Sequence, residues 1–168
     1  LQWKILEIQQ TELEDYTGAL KVAELLYAKS PVNKEQSITV FTNLLKKVQK
    51  FDQIIKLHRE EIKNCSPKDI DRLFSYWSII AKTAQENLKN LSLAKEAYSE
   101  MLKLHPTYLP AIIQLGEIGM LQEDWGMAKT QLERAHEIIG NEDEAVDILF
   151  KLSQIALKGT KDMIQAQR

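Results

Sequence analysis

Residues 107–140 read TYLPAIIQLGEIGMLQEDWGMAKTQLERAHEIIG, and a handful of small residues among them decides the fold. Leu115 and Gly116 stand side by side, Ala128 follows the glycine by twelve residues, and Ala135 follows by a further seven. Ile112, Gly119, Trp125 and Leu132 fall in register with them, and Gly140 is placed to stop the second of two helices. Small residues at these positions let two helices cross closely, while larger ones fill the space between pairs. The pattern returns along the chain at a period of about 34 residues, the signature of stacked helix-turn-helix units and not of a single closed domain.

Upstream, Ser66-Pro67-Lys68-Asp69 offers a capping serine, a proline whose missing N–H costs nothing in a first turn, and an acid three residues after the cap. Trp77, Ile80, Ala81, Ala84, Ala94, Tyr98 and Pro106 continue that unit, with one residue inserted ahead of Ala94. The preceding unit is weaker. Asn33 with Gln36 can cap its first helix, Val40, Phe41, Leu44 and Leu45 give an apolar stripe, and Phe51 and Ile54 open its second helix after an extra residue near Lys50. The first unit carries Trp3, Leu6, Ala19, Ala23 and Pro31. Between equivalent small-residue slots the steps are 35 residues from Ala19 to Ile54, 40 from Ile54 to Ala94 and 34 from Ala94 to Ala128.

After Gly140, Asn141 and Glu144 can cap a further helix striped by Ala145, Leu149, Leu152, Ile155 and Ala156. Gly159 is expected to break it, leaving residues 161–168 to begin a partner helix. The chain therefore reads as one array with units at about 1–33, 34–66, 67–106 and 107–140 and a partial or capping unit at 141–168. Because Leu1 already lies inside a helical pattern, the chain reads as a segment of a longer protein.

These residues resemble the tetratricopeptide-repeat pattern, Trp-x2-Leu-Gly-x2-Tyr followed by Ala-x3-Phe and Pro, over essentially the whole chain and most strongly in the first, third and fourth units. The resemblance implies an all-α fold: an α-solenoid of antiparallel helix pairs wound into a right-handed superhelix. Its inner groove, lined by the first helix of each pair, would receive a peptide or a helix of a partner protein. Glu7, Gln10 and Ile54 depart from the pattern, standing where a small residue, a tyrosine and an alanine are usual. Some members of the family clamp an acidic C-terminal peptide with lysines, asparagines and arginine. Only Lys4, Asn43 and Lys82 offer that chemistry here, and Ser75, Ile79 and Gln114 stand where further cations are needed, which argues against that activity.

The remaining chemistry is sparse. A net charge of −2 gives no broad basic field for nucleic acid, although residues 31–70 carry eight Lys/Arg against five Asp/Glu and residues 107–147 carry two against nine. The positive run from Lys46 to Lys63 has only Phe51 for base stacking, so no nucleic-acid partner is expected. His58, His105 and His136 are scattered and match no metal or triad spacing, and the glycines occur singly, so neither catalytic residues, metal nor cofactor is expected. Cys65, the single cysteine, beside an expected helix start, is read as a spectator thiol, and no run of about 20 apolar residues can span a bilayer. Trp3, Trp77 and Trp125 fall at repeat-specific slots and are read as core.

The expected function is a non-catalytic protein-interaction scaffold. Read at the family's spacing for the concave face, its groove would comprise Lys4, Ile8, Asn43, Ser78, Lys82, Gln85, Ile113, Glu117 and Met120. Residues 108–121 are apolar nearly all round, more than one buried face requires, and the surplus either packs on neighbouring repeats or anchors a partner. Two alternatives stand beside this reading: a substrate-recruiting or regulatory segment of a larger multidomain enzyme, and a homo-oligomer joined through the C-terminal helix. The sequence does not fix the compartment: a cytoplasmic location is slightly favoured, with an exported or membrane-tethered full-length protein as the alternatives.

Overall fold

The structure, a computed structural model, describes residues 2–11, 15–29, 34–140 and 142–166, with side chains over 3–9, 15–29, 34–140 and 145–158. The expected caps Asn33 and Asn141 and the closing Pro31 lie outside the described residues. All regular structure among the described residues is helical: α1 (Gln2–Thr11), α2 (Tyr16–Lys29), α3 (Lys34–Lys47), α4 (Phe51–Asn64), α5 (Ile70–Lys82), α6 (Leu91–Leu104), α7 (Leu109–Leu121), α8 (Trp125–Ile138) and α9 (Glu142–Ala166). The chain divides into two compact parts, Leu1–Lys63 and Asn64–Arg168.

The repeat is written into the turns. Gln49, Lys89 and Glu123 are the non-glycine residues with positive φ among those described, at 58°, 53° and 57°. Each lies five residues before a small-residue slot, Ile54, Ala94 or Ala128, and two before the start of a second helix. At Gln49 and Glu123 the first helix closes in the same way. The N–H of the next residue returns to a carbonyl five back (Lys50 to Leu45, 2.8 Å; Asp124 to Gly119, 2.9 Å), and that of the left-handed residue to one three back (Gln49 to Lys46, 3.1 Å; Glu123 to Met120, 3.2 Å). This pair of bonds satisfies orphan carbonyls and turns the chain sharply enough for an antiparallel hairpin. Asn90 and Asp124 then cap the second helices, accepting from Leu93 N (3.0 Å) and Met127 N (3.1 Å).

At Lys89 the closing bond runs one residue further back, from Asn90 N to Ala84 O at 2.8 Å. The reason is a π-helical turn over Thr83–Asn87, continuous with α5, in which Leu88 N reaches Thr83 O at 3.1 Å. A π-turn houses one residue more than the α-helix it interrupts, and that is where the residue inserted ahead of Ala94 resides.

Within the first part, Ala19, Ala23, Leu26, Ile38, Leu44, Leu45 and Ile54 are buried. Two polar ties accompany them. Thr42 Oγ1 and His58 Nε2 are 3.0 Å apart across α3 and α4, and the buried Glu61 carboxylate accepts from Tyr27 Oη at 2.7 Å and pairs with Lys34 Nζ at 2.9 Å. Burial pulls the His58 imidazole down to about 4, with Glu61 opposing and Lys46 adding to the effect, so the ring is neutral at pH 7.

In the second part Gly116 and Gly119 do what their spacing promised. A Cβ on Gly119 would lie 2.9 Å from the Ala128 backbone nitrogen, and one on Gly116 would lie 2.7 Å from Leu132 Cγ, so α7 and α8 cross almost backbone to backbone. Ile112, Ala128, Leu132, Ala135, Ile148 and Ile155 form one core cluster, extended by half-buried Ile113, Met120, Trp125 and Leu152.

Three local expectations are corrected. Ser66 does not cap α5: residues 66–69 form a turn in which Asp69 N donates to Ser66 O at 2.9 Å, and Asp69 is the cap, accepting from Arg72 N at 3.3 Å. The helical run begins at Ile70, so the residue in the capping position is Asp69 and not Ser66, and the helix start is several residues beyond Cys65. Gly159 does not break the last helix, which runs unbroken for 25 residues. One interior glycine costs about 1 kcal/mol, less than a continuous helix of this length tolerates.

Candidate protein-interaction groove

The second part carries a concave site of about 250 Å³. Ser78 and Lys82 of α5, with Gln85 and Glu86 of the π-turn, form one wall. Tyr98 and Met101 of α6 lie beneath, and Tyr108, which precedes α7, with Pro110 and Gln114 of α7 close the other side. Phe74 of α5 fixes that side, meeting the rings of His105 and Tyr108 edge to face with both centroids at 4.9 Å.

A directed polar chain runs from this groove to the last helix. Tyr98 Oη donates to Gln85 Oε1 (2.8 Å), Gln85 Nε2 to Gln114 Oε1 (2.6 Å), and Gln114 Nε2 to Glu117 Oε2 (2.9 Å). Lys151 Nζ completes it, donating to Glu117 Oε1 and Asp147 Oδ2, each at 2.6 Å. Burial, with Glu86, Glu117 and Tyr108 nearby, pushes the Tyr98 hydroxyl up to about 12, so it remains a donor at neutral pH. Burial alone would lower the Lys151 ammonium, but its bonds to Asp147 and Glu117 outweigh that and raise it. Both amides in this relay thus have their orientation dictated: carbonyl toward Tyr98, NH₂ toward Glu117. Each of the two NH₂ groups spends one N–H on the relay and retains a second.

The expected groove residues separate into groups. Ser78, Lys82 and Gln85 come together at this site, and Glu117 joins them through Gln114. Ile113 and Met120 are half-buried against the α7–α9 core cluster. Lys4 and Ile8 are exposed on α1 and Asn43 is exposed on α3, in the other compact part. Sequence reasoning left Tyr98, Met101, Tyr108 and Gln114 out of the groove. The available signal was a pair of glutamines 29 residues apart, Gln85 following Ala84 and Gln114 set between Ile113 and Leu115.

No protein-family model matches this chain, and no curated protein does. Among solved structures it is similar to BtubC (BKLC) from P. vanneervenii, at 18% identity and a TM-score of 0.57, with 92% of this chain and 66% of that one covered. It is similar in the same degree to MamA protein, at 16% identity and a TM-score of 0.57, with 95% and 92% covered. A third likeness, to TTC0263, a thermophilic TPR protein in Thermus thermophilus, has 16% identity and a TM-score of 0.43 over 94% and 82%. The fold is a tetratricopeptide-like helical repeat. That assignment agrees with the recurring turns at Gln49, Lys89 and Glu123, which place helix pairs at repeat spacing. This chain spans just under two thirds of BtubC. Among the described residues no helix is long and apolar enough to cross a membrane.

Proposed function

We propose that this tetratricopeptide-like chain is a non-catalytic interaction module that holds an extended segment of a partner protein in the groove between α5, α6 and α7. The observation that carries the reading is the Gln85–Gln114 pair. Two oriented side-chain amides with spare N–H groups, over a floor of Tyr98 and Met101, match what an extended peptide offers: carbonyl acceptors along its backbone and apolar side chains between them. Lys82 and Glu86 at the rim would select for charge in the segment without anchoring it. Ser78, Lys82, Gln85 and Glu117 keep their assigned place in this proposal. Ile113 and Met120 would support the wall from behind, and Lys4, Ile8 and Asn43, which belong to the other compact part, are not needed for it.

Selection from a displayed library of random linear peptides tests this. Enriched peptides should lose affinity tenfold or more on Gln114→Ala or Gln85→Ala, a cost of about 1.4 kcal/mol or above for a central contact. Selection that enriches no peptide, or peptides whose binding ignores both substitutions in a folded protein, would overturn the proposal.

A further inference from the structure

Helix α9 buries one face on α8 through Ala145, Ile148 and Ile155 and displays another. Val146, Leu149, Phe150 and Leu157 are 63%, 47%, 60% and 64% exposed, and they fall at intervals of three, one and seven residues, on one side of the helix. A second helix of the same hairpin would ordinarily cover such a face. Here the chain passes through Gly159 and continues as helix to Ala166 without folding back. We infer that this face docks on the same face of a second copy, the two α9 helices antiparallel and crossing at Ser153.

Three features select that occupant. The stripe is self-complementary about Ser153: an antiparallel two-fold there brings Leu149 and Phe150 to the level of Leu157 of the copy. Ser153 Oγ donates to its own helix at Phe150 O (2.7 Å), so the crossing point brings no unpaired donor into the interface. Charge is graded along the helix: Glu142, Asp143, Glu144 and Asp147 stand in its first six residues, while Lys151, Lys158 and Lys161, against Asp162 alone, follow. Asp147 and Lys158 are eleven residues apart, three turns, and so share one flank of the stripe. Antiparallel pairing brings each Asp147 beside the copy's Lys158, whereas parallel pairing lays the acidic segments side by side. Asp147 already meets Lys151, yet its carboxylate is 70% exposed, and Lys158 lies over the Trp125 ring at 5.5 Å with its side chain at the surface.

Sedimentation equilibrium of the whole chain reads the result, with circular dichroism to establish folding. Wild type should show twice the chain mass. Leu149→Glu with Leu157→Glu, both at exposed positions, should give a folded monomer. Asp147→Lys and Lys158→Asp should each be monomeric alone, because each places like charges across the two-fold, and an equal mixture of the two should restore the dimer. A wild type that stays monomeric at its highest soluble concentration, an unchanged dimer in the double glutamate variant, or a mixture of charge variants that fails to pair would overturn the inference.

Discussion

Single residues set how closely this chain's helices approach. Gly119 faces the Ala128 backbone, which has nowhere to go, while Gly116 faces the Leu132 side chain, which can rotate away. Gly119→Ala gains about 1 kcal/mol in helix propensity and loses more to overpacking, so a net destabilisation of about 1–3 kcal/mol is expected in urea titrations, with Gly116→Ala milder. A Gly119→Ala protein as stable as wild type would show that the crossing is looser than the structure has it. His58 supplies a second prediction. Its imidazole sits near 4 in the fold against 6.5 when free, so between those values the unfolded chain binds the extra proton. Its contribution is complete above pH 6.5 and is lost as pH falls toward 4, by on the order of 3 kcal/mol. Denaturation midpoints should decline over that window in wild type and much less in His58→Gln. Equal slopes in the two proteins would contradict a buried neutral ring.

Helices are held in this array by polar ties as well as by packing. Lys151 is the case where one side chain joins two elements: it bonds Glu117 of α7 and Asp147 of its own α9, with a side chain only 19% exposed. Lys151→Met leaves Glu117 with Gln114 alone and should cost about 1–3 kcal/mol, felt first in α9. Hydrogen exchange should show faster exchange along α9 with α5 and α6 unchanged, and undiminished α9 protection would mean that the tie is incidental. Element boundaries show where a sequence is readable. The α7–α8 hairpin is legible because Gly116, Gly119, Ala128 and Ala135 are steric requirements with few substitutes. The inserted residue ahead of Ala94 is visible as a spacing, but its lodging in a π-turn is not, because any of several residues could have carried it in a loop. At Gly159 the local signal misleads, since one glycine is a weak breaker against a long helix.

For the whole molecule, fold class and repeat register are legible because they rest on periodic small and large residues. The groove is less so. Lys82, Ser78 and Gln85 can be placed on a concave face by counting turns, but the relay that orients Gln85 depends on side chains from separate helices meeting, which spacing alone does not encode. The same limit hides the half-burial of Ile113 and Met120 against the core cluster, since their apolar character suits a ligand wall and a core equally well. The central claim is that two oriented amides in this groove receive a peptide, and it is tested most directly by nuclear magnetic resonance on a peptide taken from the library selection. The side-chain NH₂ signals of Gln85 and Gln114 should shift and gain exchange protection on addition of the peptide. Changes confined to residues outside the groove, with both glutamine signals unmoved at saturation, would contradict it.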